Sequence, residues 1–135
     1  MKNSISAVIE RMIKDCSIKL VPAKMGEVAQ FEFITGFQLP DEMRTFYSLY
    51  SEMEEENEMF RILPLKEIIE NGQLKSDYIE FAEYMIYSDT WAVTINGEDR
   101  NDYFIEGYKW RENSFADFLV RYLNGGVDKG LYNLY

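Results

Sequence analysis

Carboxylates are the side chains best placed to do chemistry in this chain. Glu52, Glu54, Glu55, Glu56 and Glu58 follow one another with no cation among them. Glu98, Asp99 and Asp102 crowd the stretch after Asn96-Gly97, and Asp89 stands just ahead of Trp91. Three chemistries are open to such residues. A pair such as Glu80/Glu83 or Asp99/Asp102 can act as the acid and base of a glycosidase-like dyad, but spacing along the chain does not set the carboxyl separation that reaction needs. Several oxygens on a loop can hold calcium, although DRND at 99–102 lacks the alternation of an EF-hand loop. A negative patch can also meet a basic partner, raising the association rate and sharpening selection while aromatic anchors supply affinity. Against all three stands the plain reading of a solvated helix end and loop for Glu52–Glu58, where glutamates opposing the helix dipole also allow the helix to stop before them, and a solvated hairpin tip for Glu98–Asp102.

The chain contains no histidine. That removes the usual general base near neutral pH, the Ser-His and Cys-His nucleophile pairs and the commonest zinc ligand. The single cysteine, Cys16, has no partner for an intramolecular disulfide and no activating histidine, so it reads as a buried small residue or an inert surface thiol. No catalytic, cofactor-binding or metal-binding residue is assigned, no cofactor is expected, and the chain reads as a non-enzyme. The formal net charge of −10 disfavours both nucleic acid and an anionic membrane surface as partners. Glu10, Arg11, Lys14 and Asp15 interrupt any apolar run long enough for a signal peptide or membrane span, which makes the cytoplasm the expected location. A small carboxylate-dependent enzyme stays as the third-ranked reading.

The elements that must position these residues form one domain over 1–135. Ile5, Val8, Ile9, Met12 and Ile13 make a helical stripe behind Asn3 or Ser4 as cap, and a break follows around 17–23. Val28, Phe31 and Ile34 make a second stripe, stopped by Gly36. Pro40, with Asp41 and Glu42 behind it, starts a third helix whose stripe runs through Met43, Phe46, Tyr47, Tyr50 and Met53. Phe37 and Leu39 plug the corner, so Gly36–Pro40 reads as a structural hinge and not a ligand loop. Met59–Leu63 predicts a short strand, and Pro64 opens a helical turn that ends at Asn71-Gly72. Tyr78–Tyr87 predicts a strand, bulged or at an edge because Glu80 and Glu83 fall on opposite faces. Trp91, Val93 and Ile95 alternate as a half-buried strand closed by Asn96-Gly97. Tyr103–Ile105 and Tyr108–Trp110 add two short strands. Ser114 and Asp117 then cap a last helix with Phe115, Phe118, Leu119, Tyr122 and Leu123 on one side, stopped by Gly125-Gly126. Trp91 and Trp110 read as core or sheet-face residues, and Tyr84, Tyr87, Tyr103 and Tyr108 as a sheet face left partly open. The fold class is therefore α+β: a mainly antiparallel sheet flanked by N-terminal helices and one C-terminal helix.

This ordered set resembles the SUKH superfamily, which holds many bacterial immunity proteins of toxin systems and a fungal regulator of cell-wall synthesis. The likeness covers roughly residues 20–125. It is carried by Phe31-Glu32, Gly36 and Leu39-Pro40 ahead of an aromatic helix, by ILPLKEI at 62–68, by the strand pair around Trp91, and by the closing helix that begins Ser114-Phe115. Where many members have Asn-Gly after the aromatic helix, this chain has SEMEEENE. The resemblance implies action by binding without catalysis, most often by neutralising a cognate toxin in the producing cell. A nuclease-type toxin would be basic, and the acidic residues above, from Glu52 to Asp102, would face it. An intracellular adaptor or regulatory module without a toxin is the runner-up.

Overall fold

The computed structural model describes residues 3–57, 59–107 and 110–132. Helix α1 (Ile5–Lys14) starts where Ser4 accepts the Ala7 N–H, and it buries Val8, Ile9 and Met12. The break at 17–23 is a strand, β1 (Ile18–Pro22), paired with β2 (Tyr50–Glu55). Pro22 at its end suits the edge of the sheet, where no ladder hydrogen bond is lost. Helix α2 (Glu27–Thr35) buries Val28 and Phe31, and it ends at Gly36 with φ 74°, left-handed backbone that a side chain resists. Leu39 is fully buried in the corner, and Pro40 precedes α3 (Asp41–Leu49).

At α3 the expectation needs correction. The helix stops at Leu49, and Tyr50 and Met53 belong to β2. Met53 is buried in the sheet, so the spacing that mimics a helical stripe is a helix followed by a strand with the same inward face. Glu52–Glu55 are strand residues, not a solvated helix end, and Glu56 and Asn57 lie in the turn beyond them. This arrangement also spares α3 a run of negative charge at its negative end.

The remaining strands are β3 (Phe60–Ile62), β4 (Tyr78–Tyr84), β5 (Asp89–Ile95), β6 (Tyr103–Gly107) and β7 (Trp110–Glu112). The sheet has seven antiparallel strands in sequential order, β1 to β7. Between β3 and β4 lies the short helix α4 (Leu65–Glu70). A bulge in β4 shifts its register between Glu80 and Ala82. Because of it, Glu80 pairs with Ala92 and Glu83 with Thr90, so both glutamates face outward, against the alternation that would separate them.

The inner face carries Met53, Phe60, Ile62, Ile79, Phe81, Trp91, Val93 and Ile105, all fully buried. Helix α5 (Phe115–Gly125) lays Phe115, Phe118, Leu119 and Tyr122 onto that face. Phe60 stacks on Tyr122 with ring centroids 4.3 Å apart, and Phe81 meets Phe118 edge-on at 5.3 Å. Trp91 lies so close to Gly107 that a β-carbon there would sit 2.3 Å from its ring. Past Gly125 the chain continues as a π-helical segment (Gly126–Leu131), which adds Val127 and Leu131 to the core and accepts the Trp110 indole N–H at the Leu131 carbonyl.

The start of α5 joins three elements. Ser114 accepts the Asp117 N–H, the Tyr103 hydroxyl accepts the Phe115 N–H at 2.7 Å, and Glu42 of α3 accepts the Ala116 N–H at 3.0 Å. The same Glu42 oxygen also accepts from the Tyr103 and Ser114 hydroxyls. Three of the N–H groups that a helix start leaves over are satisfied this way.

Candidate interaction surface

The sheet separates the acidic residues that the sequence places in two runs. β5 carries Asp89 at one end and leads into the Glu98–Asp102 loop at the other, about 20 Å away at the rise of an extended strand. Glu54 and Glu56 belong to the Asp89 end, where the β2–β3 and β4–β5 turns lie side by side and the Met85 N–H donates to the Met59 carbonyl at 3.0 Å. The two runs therefore form no single patch.

At the far end the acids serve the corner. Asp99 accepts the Asn101 N–H, Asp102 accepts the Asn96 amide, and Asn101 bridges to Asp41 of α3. Arg100 reaches Glu32 at 3.3 Å and Gln38 at 2.9 Å. Glu32 in turn accepts the Leu39 N–H at 2.8 Å, with Arg44 at 3.6 Å from the same carboxyl oxygen. Phe31-Glu32, Gly36 and Leu39-Pro40 are thus one hinge: an anchor, a left-handed stop, and a carboxylate that reaches over the corner to hold the restart. Glu98 stays exposed.

The near end is built differently. In register across the outer face run Lys19, Glu54, Arg61, Glu83 and Thr90, so cations flank Glu54 that its sequence neighbours do not reveal. Glu83 is buried to 3% exposure and accepts from the Arg61 Nε at 2.7 Å. The other two guanidinium nitrogens fork onto Glu67 of α4 at 3.1 and 2.6 Å. Tyr87 donates its hydroxyl to Glu67 and its N–H to Glu83 at 2.8 Å. The Arg61 hydrogen bonds, followed by that of Tyr87, hold the Glu67 carboxyl below the usual glutamate range in spite of partial burial. Burial and then Glu67 raise the Tyr87 hydroxyl.

This network sits under an unusual turn. Met85, Ile86 and Tyr87 have φ of 50°, 54° and 63°, and Met59 in the adjoining turn has φ 55°. Left-handed backbone costs a non-glycine residue about 1–2 kcal/mol, and a β-branched one such as isoleucine is a genuine outlier there. Burial returns little at the tips themselves, because Ile86 is 81% exposed, Met59 46% and Met85 43%, while Tyr87 packs partly against the core. Compensation comes from below, where Glu83 and Glu67 fasten Tyr87. Beside these apolar tips a shallow cavity of about 220 Å³ opens between Glu54, Glu56, Met59 and Ile86, with Arg61 and Glu83 at its floor. Among the described residues no donor engages the carboxylates of Glu54 or Glu56.

The other expected site residues scatter. Glu52 is half-buried on β2 opposite Val21, and Glu55 is buried on the inner face, where it accepts the Asn57 N–H. Asp89 is tied to the Tyr132 hydroxyl at 2.8 Å and the Thr90 N–H at 2.9 Å. Glu58 and Tyr108 lie outside the described residues. The tyrosines share no open face: Tyr103 is buried, Tyr84 packs edge-on against Tyr132, and Tyr87 lies over α4. The carboxylate pairs are engaged separately, with Glu80 taken by Gln73 and Thr90. Among the described residues no three acidic or cysteine side chains converge as a metal site, and no helix is long and apolar enough to cross a membrane. Cys16 is exposed.

In the sequence nothing marks Arg61 or Glu67, Tyr87 is expected on an open sheet face, and strands are expected to run through Met59, Met85 and Ile86, which lie in turns. For the last three a signal existed: large apolar residues occupy turn positions where glycine, asparagine or aspartate is the physical default. The chain matches no protein-family model, and no curated protein matches it.

Proposed function

We propose that this protein acts by binding another protein through the hairpin-tip end of its sheet, and that the partner is a basic toxin domain which it neutralises as an immunity protein in the cytoplasm. The observation that carries the binding site is the left-handed run at Met85–Tyr87, which holds an 81% exposed Ile86 in solvent beside Met59 and two unengaged glutamates. Strain of this kind persists where the surroundings enforce it and where the presented side chain has a use. Apolar tips supply desolvated contact, and Glu54 and Glu56 steer a cationic partner toward them. The resemblance to SUKH immunity proteins supports the toxin as that partner, and the net charge of −10 suits a nuclease-type domain that must itself engage phosphate.

Co-purification with the product of the neighbouring gene, followed by rescue of cells expressing that product, tests the reading. With that partner in hand, Glu54→Lys combined with Glu56→Lys slows association and flattens its salt dependence, whereas Ile86→Asp chiefly speeds dissociation. Unaltered kinetics in both variants removes the tip from the interface. A chromosomal neighbourhood without any toxin gene favours the adaptor reading.

A further inference from the structure

The chain holds three Asn-Gly pairs, at 71–72, 96–97 and 124–125. Asparagine is a thermolabile residue, most of all ahead of glycine, where no β-carbon hinders the next backbone nitrogen from turning onto the side-chain carbonyl. The glycine nitrogen gives up its proton and bonds to the asparagine Cγ, closing a five-membered succinimide, and the side-chain nitrogen leaves with that proton as ammonia. Water then opens the ring at either carbonyl to give aspartate or isoaspartate. Water is the sole co-reactant, and nothing is oxidised or reduced. The reaction needs a glycine N–H free of hydrogen bonds and an asparagine free to turn, and the fold distributes these unequally.

Gly125 lies inside α5 with its N–H in the helix ladder, and a β-carbon added to it would sit 2.6 Å from the Gly130 nitrogen. Gly72 closes α4: its N–H reaches the Ile69 carbonyl at 3.5 Å, and the Gln73 N–H clamps the same turn through the Ile68 carbonyl at 3.0 Å. Gly97 is not held in this way. Among the described residues its N–H meets no acceptor, a β-carbon there would meet nothing within 4 Å, and both Asn96 and Gly97 are exposed. We propose that Asn96 is a self-modification site, at which the folded protein cyclises onto Gly97 and loses ammonia. The Asn96 amide donates to Asp102 at 3.2 Å, in a bond open to water. Once that amide is a carboxylate the donor is gone, and two negative side chains oppose each other across the hairpin. Glu98 and Asp99 add to the repulsion, and they also disfavour the transient anion at the Gly97 nitrogen, which keeps the folded rate below that of the unfolded chain. The same loop carries Arg100, bound to Glu32 and Gln38, and Asn101, bound to Asp41. Deamidation therefore loosens the clasp on the α2–α3 corner, at the end of the sheet away from Met59 and Ile86, and the inference stands apart from the proposed toxin site.

Peptide mass spectrometry on the full chain, kept folded at mildly alkaline pH, tests it by following the amide-to-acid conversion at each pair over time. Asn96 is expected to lead Asn71 and Asn124 by about tenfold, the factor that one further backbone hydrogen bond to be broken imposes on a rate. In urea that unfolds the chain the three rates converge, because each asparagine then differs little from the others in its surroundings. An isoaspartate-specific carboxyl methyltransferase labels the aged protein at residue 96, where ring opening leaves part of the product in isoaspartyl linkage. Asn96→Asp, which reproduces the new charge, unfolds at lower urea than Asn96→Ala, which removes the donor and adds no carboxylate. An Asn96 that reacts no faster than the other two in the folded protein overturns the proposal, as does a lead that survives unfolding. An Asn96→Asp variant as stable as Asn96→Ala overturns the loosening of the corner.

Discussion

At the α2–α3 corner the left-handed residue is Gly36, and a β-carbon added there would meet nothing within 4 Å. At the hairpin tips the left-handed residues are Met85, Ile86 and Tyr87. Both places use a glutamate held by an arginine to fix the backbone: Glu32 with Arg100 at the corner, Glu83 with Arg61 at the tip. At the corner, sequence and conformation agree, and the surrounding bonds merely lock what glycine and proline already favour. At the tip they disagree, and a buried carboxylate backed by a two-sided guanidinium must hold the disagreement in place. Agreement between levels marks a residue that serves folding, and enforced disagreement marks a residue kept for another use.

The contrast breaks most visibly at the two arginines. Arg61→Ala strands Glu83, whose side chain is 4% exposed, as an unpaired buried charge, and it should cost about 3 kcal/mol in urea unfolding at neutral pH. Arg100→Ala leaves Glu32 with Arg44 nearby and its bond to Leu39 intact, so about 1 kcal/mol is expected. Equal losses in the two variants mean that the tip network has no special role. Arg61→Ala should also increase protease cleavage within 85–88 while the corner stays protected.

The pH dependence sharpens the same difference by a smaller amount. Glu67 titrates below its unfolded value when Arg61 is present, so its contribution is complete above the ordinary glutamate range and is lost as pH falls through the depressed folded value. Tyr87 is raised, so its contribution holds below the ordinary tyrosine range and fades as pH rises through the folded value. Wild-type stability should therefore have acid and alkaline limbs that both flatten in a Tyr87→Phe, Glu67→Gln double variant. Undiminished limbs in that variant would assign the pH dependence to other groups.

How legible the two regions were in the sequence follows from the range of their interactions. The corner is local: Gly36, Leu39, Pro40 and Glu32 lie within nine positions and obey capping rules, so hinge and restart could both be read directly. Ser114 with Asp117, and Asn96-Gly97, were readable for the same reason. The tip depends on Arg61 meeting Glu83, 22 positions later, through strand register. No local rule supplies that pairing, and the β4 bulge that puts Glu80 and Glu83 on one face hides it further. The acidic run misled in a related way. Helical spacing from Met43 to Met53 spans a helix and a strand, and only the pairing of β2 with β1 and β3 decides which glutamates point inward.

At Gly36 the backbone alone is at issue. Since an added β-carbon meets nothing there, Gly36→Ala should cost about 1 kcal/mol, the price of left-handed φ for a residue with a side chain. A loss several times larger would mean that packing as well as dihedral preference fixes this corner.

The smallest expected change separates the two regions most cleanly, because its sign reverses. Ile86→Asn puts a residue that tolerates left-handed backbone where an isoleucine is forced into it, and at 81% exposure little apolar burial is given up. Stability should rise by about 0.5–1 kcal/mol, since relief of strain outweighs the lost contacts. With a verified partner the same variant should bind more weakly. A gain in folding joined to a loss in binding is what a side chain retained for recognition must show. If unfolding instead becomes easier, Ile86 is part of what holds the tip together, and its exposure no longer argues for a partner.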